Sequence, residues 1–94
     1  MRLLFGERAP EVPLVSIKGL TGHCLGAAGA VEALATVLAL NAGIIPQTLN
    51  FRGADPECDL EYCHDGPKKS DAAAVISNSF AFGGNITALV IARP

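Results

Sequence analysis

From Leu25 to Ala42 nearly every position is apolar, and only Glu32, Thr36 and Asn41 interrupt the run. This stretch constrains the fold more than any other. Its spacing predicts a helix, and Gly43 sits where a left-handed C-cap is expected. Only Glu32 and Thr36, one turn apart, mark a polar side. A helix apolar on nearly all sides is buried on most of its faces. The whole chain has 94 residues, at most one small domain, and offers little to bury it with. Only 17% of residues are charged and the mean hydropathy is +0.38, against about 25% charged in an ordinary soluble domain. Other protein is therefore expected to cover much of the surface. The run is alanine-rich and interrupted, where a membrane span needs about 20 predominantly apolar residues, so no span is expected.

Charge excludes another class. The net charge is −2, and Lys68 and Lys69 are the only adjoining cations. No basic patch exists to hold a nucleic acid. Three cysteines, Cys24, Cys58 and Cys63, are an odd count without regular spacing. Met1 to Phe5 is too short for a signal sequence before Gly6-Glu7-Arg8. A reducing, cytoplasmic setting is the expectation.

The remaining pattern is mixed α/β. Arg2 to Ala9 reads as the end of a helix stopped by Pro10 and Pro13. Pro13 to Ile17 reads as a short buried strand, and Gly19 to Gly29 is glycine-rich. Ile45 to Phe51 is extended. Arg52 to Asp71 is polar loop around a short strand, Leu60 to Tyr62. Two strand-like runs, Ala73 to Ser77 and Ile86 to Ile91, flank Phe80-Ala81-Phe82-Gly83-Gly84-Asn85. Two such runs around a Gly-Gly tip predict antiparallel neighbours.

Three groups of residues could carry chemistry. His23 lies just ahead of the apolar helix, whose positive end favours the neutral imidazole. A neutral ring can donate its N–H to a carbonyl that gains negative charge, an electrophilic role. Gly22 and Gly26 allow close approach, and Lys18 can bring a cation to the same place. On residue type alone, a buried capping histidine and a surface lysine explain the pair more simply. The Phe80–Gly84 loop has bulky apolar faces and a mobile tip. It fits a gate with backbone amides available to an oxyanion hole, or simply a hairpin turn with core phenylalanines. The pairs His23-Cys24 and Cys63-His64 lack zinc-ligand spacing, so no metal is expected. The Gly22, Gly26 and Gly29 run lacks the ending of a phosphate loop. Cys24 sits closest to a nucleophile's setting, but a buried or loop thiol is the simpler reading.

Taken together these segments resemble one family. Ser16-Ile17-Lys18-Gly19-Leu20-Thr21-Gly22-His23-Cys24-Leu25-Gly26-Ala27-Ala28-Gly29-Ala30-Val31-Glu32 is similar to the lysine-containing, second-histidine motif of β-ketoacyl-acyl-carrier-protein synthases. Ile45-Pro46-Gln47-Thr48-Leu49-Asn50-Phe51 resembles the "IPPT-N" segment, and Cys58-Asp59-Leu60-Glu61-Tyr62 the block after it. Asn78-Ser79-Phe80-Ala81-Phe82-Gly83-Gly84-Asn85 resembles the terminal "NSFGFGGTN" signature. All four stand in family order, from about Phe5 to the C-terminus.

The resemblance implies residues 1–94 as the C-terminal segment of such a synthase, an incomplete thiolase-like α/β domain with a mixed sheet and a buried helix. It implies decarboxylative condensation of malonyl and acyl thioesters, carried on the 4′-phosphopantetheine arm of acyl carrier protein, in fatty-acid or polyketide synthesis, with no further cofactor. A Cys-His-His triad serves the family. His23 matches the second histidine, which stabilises the enolate. Lys18 matches the lysine that organises the decarboxylation site. Phe82 matches the gating phenylalanine whose amide helps form the oxyanion hole, and Phe80, Gly83 and Gly84 fall in the substrate-binding loop. The family's nucleophilic cysteine and first histidine lie upstream of these motifs, so the chain alone is expected to be inactive and to need the missing half or a homodimer partner. Cys24 stands where the family has an aliphatic residue. Ala81 replaces a glycine, which would stiffen the gate, and Asn85-Ile86 replaces Thr-Asn. A non-catalytic partner subunit resembling a chain-length factor, or a truncated remnant, that pairs with a complete synthase is the alternative, disfavoured by the presence of both Lys18 and His23. A small metal-binding or other interaction module is a distant third.

Overall fold

The computed structural model describes all 94 residues. Helix α1 spans Arg2–Phe5 and ends at Gly6, whose φ is 56°. The helix expected to reach Ala9 stops there, and a 3-10 turn at Gly6–Glu11, containing Pro10, replaces it. The segment Pro13 to Ile17, whose last residue is already in the helical region (φ −82°, ψ −5°), forms no strand. Its bonds go to two different segments: Leu14 N–H donates to the Glu61 carbonyl at 2.7 Å, and Ser16 N–H to Thr48 Oγ1 at 3.2 Å. A strand needs a continuous ladder, and Pro13 has no N–H to contribute. Leu60 to Tyr62 is irregular for the same reason.

Helix α2, Lys18–Thr21, ends at Gly22 with φ 71°. A 3-10 turn at Leu25–Ala27 then leads into α3, Ala28–Ala42. Gly43 closes α3 in the left-handed region (φ 66°, ψ 38°), its N–H reaching the Ala39 and Leu40 carbonyls, as the sequence predicts. Strand β1, Ile44–Ile45, pairs antiparallel with β2, Lys68–Lys69. Strand β3, Ala74–Phe80, pairs antiparallel with β4, Ile86–Ala92, in register from Ala74↔Ala92 to Phe80↔Ile86. The predicted hairpin is present and reaches further toward its tip. Within these residues the sheet is two separate antiparallel pairs and not the mixed sheet expected. Helix α3 lies against β3, and Arg93 Nη2 ties the end of β4 to the Leu40 carbonyl at 2.6 Å.

The α/β class is as expected, but the core within the chain is minimal. Only Ala9, Leu40 and Cys63 are buried. Leu20, Leu34, Leu38, Ile86 and Val90 are largely exposed, and Ile17, Leu20, Val31, Leu34, Leu38 and Ile44 line an open apolar groove beside α3. The accessible surface is 6983 Å², against roughly 5,100 Å² for a compact monomer of this mass. By composition alone the segment Leu25–Ala42 is apolar enough to cross a membrane. However, α3 proper has 15 residues, about 22 Å at 1.5 Å each, short of a hydrocarbon core of about 30 Å.

Candidate functional site

Lys18 opens α2, and its Nζ forms an ion pair with Glu32 Oε1 on α3. The Glu32 side chain is 17% exposed and that of Lys18 39%. Glu32 thus marks more than a polar side: it is the counter-ion that fixes Lys18 against the helix. In the sequence Glu32 marks only a polar side of the helix. The signal was a lone carboxylate in an otherwise apolar run, downstream of a lone cation. Thr36, the other polar residue on that side, donates its hydroxyl to the Glu32 carbonyl at 2.8 Å, a local bond typical of helical threonine.

His23 follows Gly22 and precedes the 3-10 turn. It is exposed, so it is no buried capping residue, and Ala27 holds the N-cap position of α3. Its Nδ1 accepts the Leu25 N–H at 3.1 Å. The turn at Cys24 (φ −76°, ψ 17°) brings that amide back to the ring two residues earlier. With the Nδ1 lone pair engaged, the neutral ring carries its proton on Nε2. The free nitrogen of His23, Nε2, is therefore a hydrogen-bond donor in the neutral ring. Cys24 is half-buried and its Sγ lies 4.0 Å from the carbonyls of Thr21 and Gly22.

The loop after β3 presents Phe82 fully to solvent, and Phe80, the last residue of β3, is largely exposed. Gly83 and Gly84 have φ of 79° and 83°, so the tip needs glycine at both. Ala81 is extended (φ −118°, ψ 161°), a conformation any residue adopts, so alanine stands there without strain. Ala81 N–H donates to the Asn85 carbonyl at 2.9 Å and closes the loop. A Cβ added to Gly29 would lie 3.4 Å from Ser79 Oγ. The head of α3 therefore abuts the end of β3, and the loop leaves at the end of α3 that His23 precedes. No hydrogen bond joins His23, Lys18 and Phe82 to one another; α3 relates them.

A second polar cluster lies between Phe51 and Lys68. Lys68 Nζ donates to Glu61 Oε1 at 2.8 Å, which also accepts the Cys63 N–H at 2.9 Å. The Lys68 bond, then the Cys63 amide, hold the Glu61 carboxyl below its ordinary range. Lys68 is raised chiefly by its bond to Glu61. Burial first, and the Glu61 charge second, push the Cys63 thiol up, so it stays protonated and unreactive. His64 stacks on Phe51 with ring centres 4.6 Å apart and pairs with Asp65.

Residues 1–52 match the family model for the beta-ketoacyl synthase C-terminal domain. Over 89 residues the chain is 45% identical to the tetracenomycin polyketide synthase ketoacyl synthase alpha subunit of Streptomyces glaucescens, covering 95% of this chain and 21% of that protein. It is 40% identical to 3-oxoacyl-[acyl-carrier-protein] synthase 2 of Coxiella burnetii, covering 95% of this chain and 22% of that one. A solved type II polyketide acyl-carrier protein in complex with its ketosynthase superposes with a TM-score of 0.92 at 31% identity, over 97% of this chain and 22% of the other. The chain spans about a fifth of the length of these relatives.

Proposed function

The chain belongs to the β-ketoacyl synthases, through their C-terminal domain, and from that premise we propose that it supplies the decarboxylation half of a condensing active site. In this reading residues 1–94 are the C-terminal segment of a thiolase-like domain, and the nucleophilic cysteine comes from the rest of the enzyme. Malonyl thioester on acyl carrier protein loses CO2, and the electron pair of the broken C–C bond forms an enolate. The enolate carbon attacks the acyl thioester on that cysteine, expels the thiolate and leaves a β-ketoacyl thioester on the carrier.

Each residue has a role in this scheme. His23 donates its Nε2–H to the thioester oxygen as negative charge develops. Lys18, held by Glu32, adds positive potential nearby. Phe82 gates the acyl pocket and offers its backbone N–H to the oxyanion of the second step, while Phe80, Gly83 and Gly84 shape the loop for substrate. The partners are acyl carrier protein and the remainder of the synthase, which covers the open groove beside α3. The setting is the cytoplasm, and the three free thiols fit a reducing compartment.

The observation that carries this reading is the Leu25 N–H bond to His23 Nδ1, which leaves the imidazole as a donor and not a base. The test is malonyl decarboxylation by the complete synthase. His23→Ala should lower its rate by about 10²–10³-fold, as loss of one oxyanion donor does, and leave acylation of the nucleophile intact. An unchanged decarboxylation rate would remove His23 from the mechanism.

A further inference from the structure

Helix α2 has only four residues, and a helix that short does not hold itself in place. Yet it carries Lys18 at its start and passes through Gly22 directly to His23. Three contacts from one short segment, Thr48 to Asn50, fix it. Thr48 Oγ1 accepts the Ser16 N–H at 3.2 Å just before the turn. The Leu49 carbonyl oxygen lies against Gly19, only 2.3 Å from where a Cβ on that glycine would stand. Asn50 Nδ2 donates to the Gly19 carbonyl at 2.9 Å. In α2 the Lys18 carbonyl is taken by the Gly22 N–H, whereas the Gly19 carbonyl is a terminal acceptor that Asn50 satisfies.

We propose that Asn50 is a positioning residue for the decarboxylation site, clamping the Lys18–Thr21 turn so that Lys18 and His23 keep their geometry. This rests on the assignment of those two residues above. Asparagine fits the position on two counts. Its backbone is left-handed, φ 62°, which asparagine tolerates better than most residues, and its side chain supplies the N–H donor. Aspartate keeps the first property and loses the second, as does glycine. Without the clamp the turn can tilt, and a displacement of about 1 Å at reacting groups costs on the order of 10²-fold in rate.

The experiment uses the full-length synthase carrying this segment, with Asn50→Gly and Asn50→Asp, and compares malonyl decarboxylation with acylation of the nucleophilic cysteine. The expected result is a fall of about 10- to 100-fold in kcat for decarboxylation, with acylation and KM for the malonyl thioester unchanged. Wild-type decarboxylation in Asn50→Gly and Asn50→Asp overturns the clamp, and so does a parallel fall in acylation, which marks a general structural defect. His23→Ala serves as the control. If it too decarboxylates normally, the reading of the site itself fails, and not the clamp alone.

Discussion

At the scale of single residues, polar partners explain what residue types could not. Lys18 and Glu32 stand far apart in sequence and meet across two helices. His23 owes its donor face to a neighbour's backbone, a relation no side-chain pattern announces. The cluster around Glu61 gives a pH prediction. Because the folded Glu61 carboxyl titrates below its ordinary value, its contribution is complete above 4.5 and is lost as pH falls through the lowered value. Lys68 titrates above its ordinary value, so its contribution is complete below 10.5 and is lost as pH rises through the raised value. Between those limits the pair is fully formed. Urea midpoints of the full-length protein should therefore fall on acidification, and Glu61→Gln should flatten that acid limb. An unchanged acid slope in the variant would mean that Glu61 is as solvated in the fold as in the open chain.

At the scale of elements, close backbone approach decides what glycine does. Gly19 faces the Leu49 carbonyl so closely that a methyl group cannot fit without a shift of the main chain. Gly19→Ala should cost about 1–3 kcal/mol, as other overpacked contacts do, measured by chemical denaturation of the full-length protein. A loss below about 0.5 kcal/mol, the size of an ordinary surface change, would show that the segment 45–51 moves aside freely. Gly29, by contrast, has room for a methyl group near Ser79. The family signatures place both glycines in one motif; only packing distinguishes them.

At the scale of the whole molecule, surface is the dominant fact. The chain exposes 6983 Å², about 1,900 Å² beyond a compact monomer of its mass. That excess is more than twice the roughly 800 Å² that one partner loses in a standard interface. Exposed leucines along α3 and the unpaired outer edges of the β3–β4 hairpin supply it. The isolated chain should therefore show weak amide protection, or self-associate on size exclusion. Mixing with the remainder of a synthase should raise protection along α3 first. A well-protected, cooperative monomer would contradict this account and bring an independent binding module to the front.

The sequence by itself determined the family, the apolar helix with its glycine cap, the terminal hairpin and the residue types at the site. These features are local or periodic: a helical run, a turn chemistry, a motif in order. The strands expected at Pro13–Ile17 and Leu60–Tyr62 are absent because a strand exists only through a partner ladder, which one segment cannot reveal; the helix expected to reach Ala9 ends at Gly6, and the sheet within these residues is two antiparallel pairs. Only the tertiary structure decided that Glu32 holds Lys18, that Leu25 sets the His23 tautomer, that Ala81 is unstrained and that Asn50 grips the Gly19 carbonyl. Each depends on groups apart along the chain, or on a local backbone conformation that residue types alone do not fix. Hydrogen bonds and steric contacts act over a few ångströms of space, whatever the separation in sequence.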